Sequence, residues 1–156
     1  MGMDVYGRKP LNESGEYFRA NVWYWRPLWD MIDNLYPDIA SKVPNAHFND
    51  GDGLEETDTL VLSNLLKSHI ESGFIDSYIQ EYTETINSLP PEDCTYCNQT
   101  GYRIWPNDDG SALQKQCNVC NGTLKYSNFA SNYPMHIDVV KEFQFFLENS
   151  GGFQIF

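Results

Sequence analysis

Two Cys-x-x-Cys pairs contain all four cysteines of this 156-residue chain, and they restrict its fold more than any other feature. The pairs are separated by 19 residues, a spacing within the range typical of zinc sites. Each pair places two sulfurs on one side of a tight turn, and two such turns form the tetrahedral four-sulfur site that Zn²⁺ prefers. Four ligands leave no position for water, which indicates a structural ion. We therefore predict one structural zinc ion with the ligands Cys94, Cys97, Cys117 and Cys120.

Disulfide bonds or a redox-active cysteine pair agree less well with the sequence than a zinc site does. Disulfides occur mainly in exported proteins, and the N-terminal sequence MGMDVYGRKP lacks the apolar segment of a secretory signal. A redox-active Cys-x-x-Cys is normally single and lies at the start of a helix. Iron stays open as the alternative metal, because the same four thiolates also suit it.

The residues between the two cysteine pairs have the pattern of a β-hairpin. The sequences GYRIW and ALQKQC flank the segment PNDDGS, in which Asp-Asp-Gly is a turn signal. We expect a hairpin with its tip at Ile104–Leu113, within a metal-binding insertion that spans residues 94–126. The chain length is typical of one domain, so we expect residues 1–156 to form a single domain that contains this insertion.

The residues around each cysteine pair resemble a known zinc-binding unit. CTYCNQTG and CNVCNGTL are similar to the Cys-x-x-Cys-x-Gly-x-Gly repeats of DnaJ-type zinc domains. Each keeps one of the two glycines, Gly101 in the first and Gly122 in the second, while Gln99 and Leu124 occupy the other positions. DnaJ proteins have four repeats and two zinc sites, so two repeats imply one site on a hairpin. The likeness covers less than a quarter of the chain and implies no co-chaperone activity, since the chain has no His-Pro-Asp motif.

The remaining segments predict an α+β fold that is mainly helical, with the hairpin inserted before the C-terminal helix. We expect one helix that Pro27 opens and that continues to Leu35. A second helix is expected to begin at a cap, Thr57 or Asp58, and to end at Gly73. Its inward side chains are predicted to be Leu60, Val61, Leu65, Leu66 and His69.

Two more helices and a closing strand complete the predicted fold. Apolar residues recur at helical spacing from Ile75 to Ile86, and Pro90-Pro91 stop that helix. The last helix is predicted over His136–Asn149 and is ended by Gly151-Gly152. The terminal sequence GFQIF is expected to form a strand beside the N-terminal MDVY.

The formal net charge of −12 is concentrated in one part of the chain. Residues 50–93 contain eleven acidic residues and one basic residue, which gives that segment a charge of −10. An acidic surface repels phosphates, so we expect no direct binding of duplex nucleic acid, and it attracts a basic protein partner. The alternative is a solvated helix face that keeps the protein soluble. No stretch approaches the roughly 18 apolar residues of a membrane helix, so we expect no membrane association and a cytoplasmic location.

The segment GEYFRANVWYWRPLWD, residues 15–30, combines aromatic rings with arginines. Aromatic faces and guanidinium groups suit a nucleotide or another planar anion, so Arg19, Trp23, Trp25 and Arg26 are candidate ligand-binding residues. The alternative is an aromatic core in which the arginines pair with Asp30, Asp33 or Glu16.

Taken together, several segments resemble a family of small proteins encoded by bacteria and their phages. They are GMDVYG, GEYFRANVWYWRPLW, NDGDGL, the two cysteine pairs and NYPMHIDVVKEFQFFLENSGGF. The resemblance implies a compact protein from a phage or mobile element, which would act in the host cytoplasm. It implies no catalytic residue.

The chain has no phosphate-binding loop, no nucleophile elbow and no paired metal-binding histidines. The NDGDG sequence is not an EF-hand loop, because Phe48 and Thr59 stand where carboxylates are required. Our leading hypothesis is a non-enzymatic binding protein that contacts a host macromolecule through its acidic face or its hairpin tip. A nucleotide-like ligand in the aromatic and arginine segment is the second hypothesis. A small enzyme that uses Asp50, Asp52 and a histidine is the third.

Overall fold

The computed structural model describes residues 2–156. The chain forms two compact units, the first made of Met1–Glu84 with Tyr133–Phe156 and the second of Thr85–Asn132. The predicted α+β class and its mainly helical character are confirmed. In chain order, the elements within residues 2–156 are β1 Gly2–Gly7, β2 Tyr17–Asn21, α1 Val22–Leu35, α2 Pro37–Ala40, β3 Gly53–Leu54, α3 Glu56–Glu71, α4 Phe74–Ser88, β4 Glu92–Asp93, β5 Tyr102–Pro106, β6 Ala112–Gln116, β7 Lys125–Tyr126, α5 Ile137–Ser150 and β8 Phe153–Ile155, with short 3-10 helices at Glu13–Gly15 and Phe129–Asn132.

A four-stranded antiparallel sheet organises the first unit, with the strand order β2-β1-β8-β3. The predicted closing strand is confirmed, because β8 pairs with β1 and places Ile155 opposite Val5. Side chains alternate between the two faces of a strand, and one face here is apolar. Its buried residues are Met3, Val5, Phe18, Ala20, Leu54, Phe153 and Ile155.

The helices α1 and α5 cover this apolar face with aromatic rings. Trp25 of α1 is fully buried, and its ring centroid lies 5.6 Å from Trp29 and 5.7 Å from Phe143. Phe143 of α5 in turn contacts Phe18 on β2 and Phe153 on β8. These aromatic rings therefore form part of the core between the sheet and the two helices.

Helix α1 begins earlier than predicted, and the expectation that Pro27 opens it is wrong. The helix starts at Val22, because Asn21 leaves β2 in an extended conformation and acts as the N-cap. Its side-chain oxygen accepts hydrogen bonds from the backbone N–H groups of Trp23 and Tyr24, at 3.0 and 3.2 Å. Pro27 therefore lies inside the helix, where it removes one helical hydrogen bond.

Helix α3 also differs from its prediction, both in its start and in its buried face. It begins at Glu56, after Glu55, so neither Thr57 nor Asp58 caps it. Leu60 and Val61 are exposed, at 41% and 45% of their surface, although both were expected to face inward. The buried residues of this helix are Thr59, Leu62, Ser63 and Leu66.

The buried face of α3 includes a polar contact with α5. The amide nitrogen of Gln144 donates to the Ser63 hydroxyl at 3.1 Å, and that hydroxyl lies 3.3 Å from the backbone oxygen of Gln144. Both residues are buried, and each satisfies the other's polar groups. Ser63 is therefore part of the buried face of α3, although a polar residue at this position is expected to face solvent.

The other predicted boundaries agree with the structure. Gly73 follows α3 with a φ of 76° and Gly151 follows α5 with a φ of 59°, the left-handed conformation expected of glycine at a helix end. Helix α4 ends at Ser88, before Pro90-Pro91.

The second unit is built from two short antiparallel pairs. β5 pairs with β6, which confirms the predicted hairpin, and β4 pairs with β7. Its core consists of the four cysteines, with Val119 and Tyr126 packed against them.

Candidate metal centre

Each cysteine pair lies in a tight turn stabilised by backbone and threonine hydrogen bonds. In the first turn, the hydroxyl of Thr100 donates to the backbone oxygen of Cys97 at 2.6 Å. The residues after Cys97 wind into the left-handed region, with φ values of 50° at Asn98, 58° at Gln99 and 78° at Gly101. This winding brings the chain back past the sulfur, so that the N–H of Gly101 donates to the Cys97 thiol.

The second turn repeats the first residue by residue. Thr123 donates to the backbone oxygen of Cys120 at 2.6 Å, and the φ values are 48° at Asn121, 78° at Gly122 and 69° at Leu124. The repeated sequence Cys-Asn-x-Thr is therefore a structural signature of both turns. Gln99 and Leu124 have positive φ values, as do the glycines at the equivalent positions of the other turn, Gly122 and Gly101.

The two turns exchange equivalent hydrogen bonds, so the site has approximate twofold symmetry. The backbone N–H of Cys94 donates to the oxygen of Leu124 at 2.8 Å. The N–H of Cys117 donates to the oxygen of Gly101, also at 2.8 Å. Because these bonds join the turns directly, the four sulfurs are positioned by the backbone.

The geometry of the four sulfurs fits a tetrahedral metal ion. The sulfurs of Cys94 and Cys117 are 3.8 Å apart, as are those of Cys97 and Cys120, and all four lie within 4.8 Å of one another. A metal with four sulfurs at about 2.3 Å separates neighbouring sulfurs by about 3.8 Å, as the edge of a tetrahedron requires. A disulfide needs about 2.05 Å, and all four cysteines are free. Four buried cysteines are thus arranged to hold a metal ion, as predicted.

The environments of the four thiols differ. Burial raises the pKa of the Cys94 thiol to about 11. A hydrogen bond from the backbone N–H of Cys120 is the main reason that the pKa of Cys117 is lowered to about 7. A metal binds thiolates, so ligation must displace the proton of Cys94, and the affinity for metal falls as the pH falls.

The candidate ligand-binding residues do not share one site. Trp25 is fully buried, and its indole N–H donates to the backbone oxygen of Ala46 at 2.8 Å. Arg19 lies on the opposite, outer face of the sheet, where its side chain is 64% exposed and lies 3.5 Å from Asp4. Trp23 is 39% exposed, and its ring packs 5.0 Å from Tyr133. Arg26 is exposed on α1.

The polar loop NDGDG uses its carboxylates to hold its own backbone. Asp52 accepts hydrogen bonds from the N–H groups of Asn45 and Gly53, both at 2.9 Å, and Asp50 accepts one from Asp52 at 3.2 Å. His47 pairs with Asp30 at 3.1 Å, outside this loop. Asp50 and Asp52 therefore have a clear structural role.

Within residues 2–156, the four cysteines are the one group of at least three histidine, cysteine or acidic side chains placed to hold a metal ion. No helix in the same range is both long and apolar enough to cross a membrane.

No protein-family model matches this chain, no curated protein matches its sequence, and no solved structure matches its fold. The resemblances to DnaJ-type repeats and to a bacterial and phage family stay predictions.

Proposed function

We propose that this chain is a non-enzymatic binding protein in which one structural zinc ion supports a β-hairpin that contacts a partner protein. The supporting observation is the exposed surface of the ribbon formed by β5 and β6. Its large apolar side chains are exposed at 53% for Tyr102, 76% for Ile104, 40% for Trp105 and 45% for Leu113. Exposed apolar and aromatic side chains grouped in this way are typical of interaction sites.

The metal centre gives this ribbon its rigidity. A two-stranded hairpin by itself is at best marginally stable in water. Both strands of the ribbon end at a metal-binding turn, since β5 follows Gly101 and β6 precedes Cys117. A ribbon held in one conformation loses less conformational entropy when it binds, which favours affinity. A filled tetrathiolate site therefore serves binding through preorganisation and needs no chemistry of its own.

The acidic residues of the first unit offer a second contact surface. This unit contains 18 of the 22 acidic residues and 7 of the 10 basic residues, so its formal net charge is −11. Such a field increases the rate of association with a basic region of a partner and opposes binding to duplex nucleic acid. The resemblance to phage and bacterial proteins supports a phage or mobile-element origin and a partner in the host cytoplasm.

The other two functions have less support. A nucleotide-like ligand at Arg19, Trp23, Trp25 and Arg26 requires Trp25 to leave the core. An enzyme built on Asp50 and Asp52 requires carboxylates that already hold a loop.

Site-specific photo-crosslinking tests the binding function. A photoreactive amino acid replaces Ile104 or Leu113, one on each face of the ribbon, and replaces Leu11 in the control, because Leu11 is at least as exposed as either. We expect position 104 or position 113 to capture a defined host protein and position 11 to capture none. Equal capture at all three positions, or no capture at both ribbon positions at low and physiological salt, would contradict the proposal.

A further inference from the structure

The two faces of the ribbon differ in charge. The strand register places Arg103 opposite Lys115 and Trp105 opposite Leu113. Residues directly opposite each other share a face of the ribbon, as do residues two apart along a strand. One face therefore presents Arg103, Trp105, Leu113 and Lys115, which we call the cationic face. The other face presents the uncharged side chains of Tyr102, Ile104, Gln114 and Gln116.

The cationic face is unusual within so acidic a protein. Like charges directly opposite each other destabilise a strand pair. Within residues 2–156, neither Arg103 nor Lys115 forms an ion pair with a carboxylate. Arg103 instead donates to the side-chain oxygen of Asn118 at 3.0 Å and lies 5.0 Å from the centre of the Trp105 ring. The contacts within the chain thus leave the two positive charges without a counter-charge.

We propose that the cationic face binds a short acidic segment of a partner protein, with carboxylates at Arg103 and Lys115 and an apolar side chain on Trp105 and Leu113. This inference rests on the proposed function of the ribbon and names the partner chemistry of one of its faces. Two adjacent cations can hold a carboxylate through charge-assisted hydrogen bonds. The aromatic ring beside them offers the apolar anchor that interaction sites favour.

The charges at the end of the ribbon give the bound segment a direction. The turn beyond Trp105 and Leu113 contains Asp108 and Asp109, and Asp109 accepts hydrogen bonds from the backbone and hydroxyl of Ser111 at 2.9 and 2.6 Å. These carboxylates repel other carboxylates. The acidic residues of the segment therefore lie toward the metal-binding turns, and its apolar residue lies toward the tip.

A protein segment fits this face better than a nucleic acid. Single-stranded nucleic acids are held by a cationic groove that follows many phosphates. The cationic face offers two cations, and the second unit as a whole has four acidic and three basic residues. One or two carboxylates beside an apolar side chain match this small patch, whereas a long polyanion does not.

Selection from a random library of short peptides tests the inference with the metal-loaded, full-length protein. We expect the selected peptides to be enriched in aspartate or glutamate next to a leucine or phenylalanine. The double substitution Arg103→Glu with Lys115→Glu should weaken their binding by about tenfold or more, measured by fluorescence anisotropy. Versions of the same peptides with lysine in place of the acidic residues should prefer the double variant.

Matched variants separate this inference from the proposed function. Lys125→Glu reverses a charge of the same unit outside the ribbon and should leave peptide binding unchanged, and each variant must keep its bound metal. Peptides without acidic residues, no enrichment, or tighter binding of oligothymidine than of any selected peptide would overturn the inference. If Ile104→Ser abolishes binding and the charge reversal does not, the neutral face is the contact: the proposed function then stands and this inference is wrong.

Discussion

Removal of the metal is expected to unfold the second unit and to leave the first unit folded. In the second unit, the hydrophobic core around the four cysteines contains two further side chains, Val119 and Tyr126, both partly buried. Full burial of such a side chain contributes about 1.5–3 kcal/mol, so these two together contribute less than about 6 kcal/mol. A structural zinc ion contributes about 10–16 kcal/mol in small zinc-binding peptides. We therefore expect a bound zinc ion to dominate the stability of residues 85–132, whereas the first unit has a large apolar core of its own.

Hydrogen exchange measured by mass spectrometry gives a direct readout of this difference. With metal bound, the N–H groups of Cys94 and Cys117 are hydrogen-bonded across the two turns and should be protected. After treatment with a strong chelator they should exchange as in an unfolded chain, while the N–H of Ile155 in β8 stays protected. The double substitution Cys97→Ser with Cys120→Ser should give the same result without chelator. Unchanged protection of residues 94–126 in protein shown to be free of metal would mean that the second unit does not need the ion to fold.

Three further predictions follow from individual residues. Gly151→Ala should destabilise the protein by at least about 2 kcal/mol more than Gly73→Ala, as measured by urea unfolding. Both glycines have positive φ, but only a Cβ at Gly151 would overlap the Lys9 backbone oxygen. Equal losses of stability from the two substitutions would contradict this prediction. Gln99→Gly should stabilise the metal-bound second unit by about 0.5–1 kcal/mol, because glycine adopts the left-handed conformation of this position without the strain of a side chain. Hydrogen-exchange protection measures this gain, and a loss of protection would contradict the prediction. Hydrogen bonds from Gln144 and then Lys67 lower the pKa of Glu148 below its ordinary value of 4.5. The charged carboxylate therefore stabilises the fold above its ordinary pKa, and this stability is lost as the pH falls through the lowered pKa. The effect is about 0.5 kcal/mol because the ion pair with Lys67 is exposed, and Glu148→Gln should remove this part of the acid dependence of unfolding.

The metal centre could be predicted from the sequence because its signals are local. The spacing within each Cys-x-x-Cys pair sets the turn, and the Asp-Asp-Gly signal sets the hairpin between them. The repeated Cys-Asn-x-Thr also identifies Thr100 and Thr123 as residues that stabilise the turns, although the spacing of the cysteines alone does not. The left-handed conformations of Gln99 and Leu124 could not be predicted from residue preference, because the hydrogen bonds of the turns impose them.

The predictions of the buried face of α3 and of the start of α1 were wrong. The sequence of α3 suggested Leu60 and Val61 as core residues, but the helix buries Leu62, Ser63 and Leu66 instead. Likewise, Pro27 is a strong helix-start signal, yet the cap at Asn21 determines the first turn of α1.

The composition of the aromatic segment, residues 15–30, also did not distinguish a ligand-binding site from an aromatic core. Trp25 and Arg19 are six residues apart in the sequence, but one lies in the core and the other on the outer face of the sheet. The strand that ends at Asn21 and the helix that follows it separate them. Alternation along β2 places Arg19 outward, and the helical repeat of α1 places Trp25 inward.

Native mass spectrometry of the purified protein, combined with X-ray absorption at the metal edge, shows whether the four cysteines hold one metal ion as thiolates. We expect one zinc ion per chain, four protons lost from the cysteines, and four sulfur neighbours at about 2.3 Å. A chain without stoichiometric metal, or with its cysteines oxidised in pairs, would show that the four cysteines do not form a metal centre.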